Sequence, residues 1–320
     1  MNRREFAIAA IASLAHCRAS LVEASEIGGI PFGIHTFSFH EIQEGGMPAV
    51  DEMIMATRQV GLDSVEIFAP QLAPFPIPDG FWKQWWSAAH PQDTKAISQS
   101  VPIASEAMER QRERLRQWRT SAPVEYFTAI RKKFVAAGIS IFALNYTFDV
   151  SMTDAEIDAG FVQAKHLGAK VITSANTISL AHKLVPFAQR HEMIVAFHNT
   201  DSSDPDRIVA PEAYGKLLAL SPLFKINLDV AHMSAAGYDP VKFLEEHHAN
   251  VVSLHIHDRK NNNGASVPNG EGDTPLRGLL SFMRSQKLRL PSFYELEWVG
   301  SGDPVLEIKR DLRYLRGLVQ

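Results

Sequence analysis

The stretch VVSLHIHD, residues 251–258, alternates apolar and polar side chains and ends in two histidines and an aspartate. Side chains of a β-strand point alternately to opposite faces, so Ser253, His255 and His257 share one face and apolar residues occupy the other. A strand of this kind fits a closed barrel, where the apolar face packs on helices and the polar face points into the mouth. Residues 251–258 therefore predict a barrel strand with ionisable groups at its carboxyl end.

Seven further segments have a similar β-rich composition, and amphipathic helical segments lie between them. The eight predicted strands are Phe32–Phe39, Ser64–Phe68, Ser140–Tyr146, Lys170–Ser174, Met193–Asn199, Lys225–Val230, Val251–His257 and Ser292–Trp298. Strands that alternate with helices, without a break in composition, predict an α/β fold: a single-domain (β/α)8 TIM barrel. An open doubly wound sheet is the competing architecture.

The predicted helices have recognisable ends. Thr153 and Glu156 form a capping box before a helix over Ile157–Leu167, and Gly168 ends that helix. Proline in the first turn begins three later helices. These are Glu212–Leu220 after Pro211, Val241–His248 after Asp239-Pro240, and Val305–Leu318 after Asp303-Pro304.

Composition limits the classes of partner. The 320 residues are 45% hydrophobic, which is enough for a sizeable core, and they carry a formal net charge of −4. A mildly acidic chain has no basic field that would attract a phosphate polymer, so we expect no nucleic-acid partner. The single cysteine, Cys17, excludes an intrachain disulfide.

The amino terminus resembles an export signal. Residues 1–6 read MNRREF, and a short apolar stretch over residues 7–15 and several small residues follow. This pattern predicts a twin-arginine signal peptide over residues 1–27, cleaved between residues 19 and 27, and an exported or periplasmic barrel domain over residues 28–320. The apolar stretch is too short for a permanent membrane anchor. A frayed N-terminal helix is the alternative interpretation.

The predicted spacing of elements is interrupted by a long insertion after strand two, at about residues 69–123. It contains four of the five tryptophans together with Phe75 and Phe81, and it changes from a proline-rich start to a charged helix around Glu106–Trp118. Because it follows a strand at its carboxyl end, we expect it on the active-site face as a lid or a binding wall. A subunit contact is the alternative.

Residues that can bind metals end each of the last four predicted strands: His198 on strand five, Asp229 on strand six, His255 on strand seven, and Glu295 with Glu297 on strand eight. The alternation of side chains directs these groups toward the barrel axis. Burying so many ionisable groups without a partner costs several kcal/mol each. A cation at the top of the barrel is the simplest compensation.

The ordered set of motifs resembles the xylose isomerase-like TIM barrels, which include sugar isomerases, ketose epimerases, inosose dehydratases and endonuclease IV. The resemblance covers about residues 30–318 and is strongest from residue 193 onward. The motifs that carry it are Asp229-x-x-His232, His255-Ile256-His257-Asp258, Gly270-Glu271-Gly272-Asp273, and Glu295 on strand eight.

The resemblance implies one divalent metal ion with His198, Asp229, His255 and Glu295 as ligands. One position departs from the family pattern, because His198 stands where the family usually has a glutamate. Two imidazoles and two carboxylates favour Mn²⁺, with Zn²⁺ or Co²⁺ as alternatives, over Mg²⁺. The departure also removes one of the two carboxylates that flank the abstracted proton in the epimerases.

The implied reaction begins with polarisation of a substrate carbonyl by the metal. Glu295 or Glu297 then removes a proton from the adjacent carbon, and His232 holds a water, a substrate oxygen or Asp229 itself. The resulting enediolate leads to isomerisation or epimerisation of a keto-sugar or a related carbohydrate. Loss of a β-oxygen, as in a lyase or dehydratase, is the alternative outcome. The candidate substrate contacts are His35, Glu66, His257, Asp258 and Arg259. For His257 and Asp258 the alternative is to support the metal ligands without touching the substrate.

Two other functions compete with a sugar isomerase. An endonuclease IV-like nuclease needs more metal-binding histidines on the early strands than His35 supplies, and it needs a basic groove. A non-catalytic sugar-binding protein would keep the aromatic insertion but would not need clustered carboxylates and imidazoles. Export favours free or oxidised sugars over phosphorylated sugars, which are intracellular. The resemblance is also compatible with a homo-oligomer.

Overall fold

Eight parallel strands form a closed barrel in the computed structural model, which describes residues 25–39, 42, 45–76, 105–202, 205–298 and 303–320. The strands are β1 Ile30–His35, β2 Ser64–Phe68, β3 Ser140–Asn145, β4 Val171–Ser174, β5 Ile194–His198, β6 Phe224–Asp229, β7 Val251–Ile256 and β8 Ser292–Tyr294. Each strand pairs with its sequence neighbours, and β1 pairs with both β2 and β8. The predicted TIM barrel is confirmed, and the open doubly wound sheet is wrong because β1 closes the ring.

Helices surround this barrel. They are α1 Met47–Gln59, α2 Ser105–Ser121, α3 Val124–Ala136, α4 Asp154–Leu167, α5 Ile178–His191, α6 Pro211–Leu220, α7 Val230–Ala235, α8 Pro240–His247, α9 Leu276–Ser285 and α10 Pro304–Leu318. The predicted capping box begins α4: the Thr153 hydroxyl accepts the Glu156 backbone N–H, and the Glu156 carboxylate accepts the Thr153 N–H. Gly168 ends this helix with a φ of 80°, a conformation that suits glycine. Among the described residues, we find no helix long and apolar enough to span a membrane.

The first and last strands are shorter than predicted. β1 ends at His35, and Thr36–Phe39 forms a 3₁₀ turn instead of continuing the strand. The Ser38 hydroxyl in this turn accepts the Leu296 backbone N–H at 2.9 Å. The Ser38 side chain thus takes the place of β1 beyond Tyr294, while on the other side the Glu295 backbone N–H still donates to the Ile256 carbonyl of β7 at 3.2 Å.

The alternation predicted for the end of β8 nevertheless holds. Tyr294 and Trp298 point outward, where both donate hydrogen bonds to Asp311 of α10, at 2.7 and 3.2 Å. Glu295 and Glu297 point to the mouth, where Glu295 faces His255 of β7 and Glu297 faces His232 of α7. The outward hydrogen bonds therefore hold the carboxylates of this segment in place.

The lower part of the barrel is filled with side chains. Phe293 and Phe142 lie against each other with ring centroids 5.2 Å apart. A Cβ atom at Gly33 would approach the Phe293 ring to 2.6 Å, so only glycine fits there. Because the interior is packed at this level, groups that bind a ligand are confined to the mouth.

The structure describes the two ends of the insertion after β2. The 3₁₀ turn Ala69–Leu72 follows β2, and the predicted charged helix is α2. Arg116 and Arg119 of α2 form ion pairs with the buried Glu156 of α4 at 3.3 and 3.8 Å. The remaining tryptophans and Phe81 of the proposed binding wall fall on residues 77–104 and lie outside the described residues.

The predicted signal peptide falls on residues 1–27, of which residues 1–24 lie outside the described part of the chain. Glu26 and Ile27 form a short antiparallel hairpin with the start of β1, and Ile27 is buried in the core. These residues belong structurally to the barrel domain. A cleavage site before Ser25 would keep this hairpin intact.

Candidate metal centre

Four side chains from consecutive strands meet at the mouth of the barrel. His198 ends β5, Asp229 ends β6, His255 lies on β7, and Glu295 directly follows β8. One potential ligand atom from each of the four lies within 4.8 Å of the others. The parallel strands bring their carboxyl ends to a single rim, so residues far apart in the sequence become neighbours.

The distances within this group suit the ligand shell of a divalent cation. His198 Nε2 lies 3.2 Å from Asp229 Oδ2, and His255 Nδ1 lies 2.8 Å from Glu295 Oε2 and 4.0 Å from Asp229 Oδ2. Neighbouring ligands of a four-coordinate ion with bonds of about 2.1 Å lie about 3.4 Å apart. Modest side-chain adjustment would bring all four to bonding distance.

His255 supplies the most specific sign that a cation fits. Its Nδ1 is buried and has no hydrogen-bond partner, although a carboxylate oxygen of Glu295 lies only 2.8 Å away. The two atoms are close but not aligned to share a proton. Such an arrangement is expected when the lone pairs of two ligands point to a common ion. The opposite nitrogen, Nε2, hydrogen-bonds to Glu66 Oε1 at 3.0 Å, which orients the ring as carboxylates do for metal-bound histidines.

The orientation of Asp229 is fixed by contacts outside this group. Its Oδ1 accepts the His232 backbone N–H at 2.7 Å and so caps α7. Its backbone N–H and C=O are both bound by the Asn199 side-chain amide at 2.9 Å. These contacts leave Oδ2 facing His198, with His257 Nε2 2.9 Å from the same oxygen.

Burial and close charges shift the pKa values of the group in opposite directions. Burial alone would raise the pKa of Asp229, but the adjacent histidines, His257 foremost, hold it well below its usual value. Glu295 behaves in the same way, with His35 and His255 as the opposing charges. Burial opposes the protonation of His255, but Glu66 and Glu295 outweigh it and hold its pKa well above the usual value. The carboxylates are therefore ionised and balanced by histidine protons, whose place a cation would take.

Glu66 and His35 lie on the β1–β2 side of the same group. Burial would raise the pKa of Glu66, but His255, His35 and a hydrogen bond from Thr173 lower it to about 2. His35 Nδ1 lies 3.0 Å from Glu295 Oε1. The structure thus places both predicted substrate-contact residues beside Glu295 and His255.

His232, His257, Glu297 and Arg259 form an adjoining polar group. His232 Nε2 lies 3.3 Å from Glu297 Oε1, and His257 Nδ1 lies 3.7 Å from Glu297 Oε2. Burial would raise the pKa of Glu297, but the charges of His232 and His257 lower it to about 2. Glu297 is thus ionised next to the predicted ligands, where it can act as a proton acceptor.

Asp258 is the predicted site residue that lies apart from these groups. Its carboxylate accepts the backbone N–H groups of Gly270, Gly272 and Thr274 at 2.8, 3.0 and 3.1 Å. Both carboxylate oxygens are therefore hydrogen-bonded to the Gly-Glu-Gly loop that follows β7 and to the residue just beyond it. Asp258 thus holds this loop, and its contact with a substrate stays a prediction.

Sequence reasoning missed three polar residues of the mouth. Asp201 binds Arg259 at 2.8 Å and His232 at 3.2 Å, while Thr173 and Asn145 donate hydrogen bonds to Glu66. Asn145 ends β3 and Thr173 precedes the end of β4. Their positions near strand ends could therefore have predicted that they lie at the mouth. Asp201 lies in the loop after β5, where the alternation of side chains along a strand no longer predicts which way a side chain points.

Comparison with known proteins agrees with this architecture. The structure resembles a 3-keto-D-glucoside 4-epimerase from E. coli, with 14% identity, coverage of 90% of this chain and 99% of that one, and a TM-score of 0.55. It also resembles the probable 3-DHS dehydratase of Bacillus anthracis, with 14% identity, coverage of 89% and 98%, and a TM-score of 0.57. The IOLI protein, described with a bound zinc atom, has 13% identity, coverage of 90% and 97%, and a TM-score of 0.59.

Identities at this level establish the fold alone. No protein of curated function matches the sequence. The family model described as xylose isomerase-like TIM barrel matches residues 54–318, which include every strand from β2 to β8 and all four predicted metal ligands. The chain belongs to the xylose isomerase-like TIM barrel family.

Proposed function

We propose that the protein is a divalent-metal-dependent isomerase or epimerase that acts on a keto-sugar or a related carbohydrate through an enediolate. The observation that carries this proposal is the meeting of His198, Asp229, His255 and Glu295 within 4.8 Å at the barrel mouth. Structural neighbours that are named as a sugar epimerase and as a dehydratase support the same class of chemistry. The bound metal would polarise the substrate carbonyl and so acidify the adjacent C–H group.

The residues of the chain then have distinct tasks. His198, Asp229, His255 and Glu295 hold the cation. Glu297 is placed to accept the substrate proton. One of its oxygens faces His232, and the other faces His257 and accepts a hydrogen bond from the Ser266 hydroxyl. Arg259 and Asp201 orient His232 from the other side, so that its ring faces Glu297.

His198 bears on which reaction follows. Inversion of a carbon needs a proton acceptor on one face and a proton donor on the other, and a glutamate on β5 would supply the second of these groups. Here the β5 position is an imidazole that contacts Asp229, and burial first of all lowers its pKa. The available carboxylates, Glu295 and Glu297, come from the same segment. This arrangement favours proton transfer on one face, as in a 1,2-isomerisation, and it also supports elimination of a β-oxygen as the alternative reaction.

Proton exchange in deuterated water tests the proposal directly. The purified protein, loaded with Mn²⁺, is incubated with a panel of keto-sugars and oxidised glycosides, and the products are identified by NMR. We expect deuterium at the carbon beside the carbonyl of at least one substrate, and loss of this exchange on chelation. A rearranged sugar indicates isomerisation, whereas an unsaturated product and a released leaving group indicate a lyase.

Matched glutamine variants identify the base. Glu297→Gln should abolish exchange, whereas Glu271→Gln, an exposed glutamate of the loop after β7, should retain it. Metal-free protein that exchanges at the full rate would contradict the proposal. Full exchange by the Glu297 variant would exclude that carboxylate as the base.

We also propose that the protein is exported and that Mn²⁺ is its metal. Arg3 and Arg4 precede a short apolar stretch, and the two-histidine, two-carboxylate donor set suits Mn²⁺, with Zn²⁺ or Co²⁺ as alternatives. N-terminal sequencing of the mature protein should find a start before or at Ser25, and a double lysine variant of the arginine pair should leave the precursor in the cytoplasm. A precursor that retains Met1 in the mature fraction would contradict export by cleavage. Elemental analysis of protein purified without added metal tests the metal assignment.

A further inference from the structure

The guanidinium of Arg259 lies at the rim of the barrel mouth. Asp258–Arg259 pairs with Ser266–Val267 in a short antiparallel hairpin that follows β7, and the Arg259 side chain is 11% exposed. A substrate that enters the mouth can therefore reach it. A guanidinium presents pairs of parallel N–H groups that match the two oxygens of a carboxylate or a phosphate. With its N–H groups free, Arg259 would select an acidic sugar.

The protein itself engages these N–H groups. A guanidinium has two edges with paired donors, and the Gly264 carbonyl accepts from one of them, from Nε at 3.3 Å and from Nη2 at 2.9 Å. Asp201 and His232 share the other edge: Asp201 Oδ2 lies 2.8 Å from Nη2, and His232 Nδ1 contacts Nη1. Both edges are therefore engaged before a substrate arrives.

Asp201 also balances the charge of Arg259. Burial would raise the pKa of Asp201, but His232 and Arg259 outweigh burial and hold it below its usual value. The carboxylate is therefore ionised, with Oδ2 on the guanidinium and Oδ1 3.2 Å from His232 Nδ1. Two opposite charges in contact present little net charge to a molecule that approaches them.

The neighbourhood of this ion pair is negative on the inner side. Across the His232 ring from Asp201, Glu297 Oε1 lies 3.3 Å from Nε2, and the Glu297 carboxylate is ionised. A negatively charged group on a substrate would meet Glu297 on one side of His232 and Asp201 on the other, while the guanidinium is already paired. Like charges brought together in a binding site weaken the binding of the wrong ligand.

We propose that Asp201 is a specificity-determining residue that restricts the protein to uncharged sugars, because it engages the guanidinium of Arg259 that would otherwise bind the carboxylate or phosphate of an acidic sugar. This inference rests on the proposed function and names the class of its substrate, a keto-sugar or glycoside whose polar groups are hydroxyl and carbonyl groups. A hydroxyl group can donate to an Asp201 oxygen without adding charge to the site.

Matched substrates measure this selectivity. Each neutral keto-sugar of the exchange panel is paired with analogues that carry a carboxylate or a phosphate on the last carbon, such as fructose with fructuronate and with fructose phosphorylated on that carbon. The rate of deuterium exchange gives kcat/KM for each compound with the metal-loaded protein. We expect the wild type to prefer the neutral sugar by about 10²-fold or more, as repulsion between like charges allows.

Asp201→Asn removes the negative charge and preserves the shape of the side chain. We expect the ratio of kcat/KM for the acidic analogue to kcat/KM for the neutral sugar to rise by about 10-fold or more, through a lower KM for the acidic analogue. Sodium chloride should reduce this gain, since salt screens the attraction between the freed guanidinium and an anion. A variant that only disturbed the structure would lower kcat for both classes and leave the ratio unchanged.

Two control variants separate the charge of Asp201 from its position and from the net charge of the protein. Asp201→Glu keeps a negative charge beside Arg259, so it should keep the wild-type preference. Asp273→Asn removes a charge from an exposed residue whose carboxylate accepts the Asn261 backbone N–H, and it should keep the preference as well. If Asp201→Asn fails to fold, Asp201→Ser, which also lacks the charge, takes its place.

Each other outcome overturns a specific claim. A wild type that exchanges acidic analogues as fast as neutral sugars would overturn the inference and leave the proposed function intact. An unchanged ratio in the uncharged Asp201 variant, or an equal change in Asp273→Asn, would also overturn the inference alone. Exchange with no compound of either class, in the wild type and in the variants, would overturn the proposed function and the inference together.

Discussion

Replacement of Asp229 by asparagine should abolish the stabilisation that a divalent cation gives to the folded protein. Asp229 is fully buried, and its Oδ2 faces His198 Nε2 at 3.2 Å. Asparagine has nearly the same shape, and its Oδ1 can still accept the His232 backbone N–H that begins α7. The substitution therefore removes a negative charge and a ligand oxygen while the helix cap remains.

The expected magnitude follows from binding linkage. A cation present at about 1,000 times its Kd stabilises the folded state by about 4 kcal/mol, because it binds the folded chain and not the unfolded one. In a domain of this size, about 1 kcal/mol corresponds to a change of about 2 °C in Tm. We therefore expect metal to raise the Tm of the wild type by about 8 °C, and that of Asp229→Asn by less than about 2 °C.

Thermal unfolding of chelated and metal-loaded protein measures this difference. Asp311→Asn is the matched control, because Asp311 is equally buried but accepts hydrogen bonds from Tyr294 and Trp298 on the outer side of β8. The control should lower Tm in both states and keep the metal-induced rise. An Asp229→Asn protein with the full rise, or a control without it, would refute the assignment of Asp229 as a ligand.

Three further predictions concern separate parts of the molecule. Glu297→Gln should lower kcat by about 10²-fold or more, since it removes the proposed proton acceptor, while elemental analysis finds unchanged metal content. Thr153→Ala should lower the free energy of unfolding by about 1 kcal/mol, measured in urea, because it removes the N-cap of α4. Gly272→Ala should increase proteolysis of the loop after β7, because a Cβ there would lie 2.0 Å from Asp258 Oδ1. Unchanged kcat, an unchanged urea midpoint or an unchanged digestion rate would contradict the respective prediction.

The sequence predicts the barrel and its rim well because both depend on local patterns. Alternation along residues 251–258 places His255 and His257 on the inner face, and a barrel brings the ends of its strands together regardless of their separation in sequence. The capping box at Thr153 and Glu156 likewise depends on residues only three positions apart. Such features need no knowledge of distant contacts.

Features that depend on distant contacts were missed. The end of β1 at His35 follows from the 3₁₀ turn, whose Ser38 hydroxyl binds Leu296 at the other end of the chain. Asp201 contacts His232 and Arg259 from a loop, and the periodicity of the sequence does not predict the path of a loop. Asp258 matched a family motif by position, but its partners are the backbone amides of a later loop.

The charge balance of the mouth connects the unusual His198 with the proposed cation. Glu66, Asp229, Glu295 and Glu297 contribute four negative charges, because each pKa is held below its usual value, and one divalent cation would contribute two positive charges. A glutamate at position 198 would add a fifth negative charge, whereas a histidine that binds the cation as a neutral ligand adds none. Charge that develops in such a site is stabilised most by opposite charge already in place. The histidine on β5 therefore suits an anionic intermediate such as an enediolate, because it removes a negative charge that would repel that intermediate.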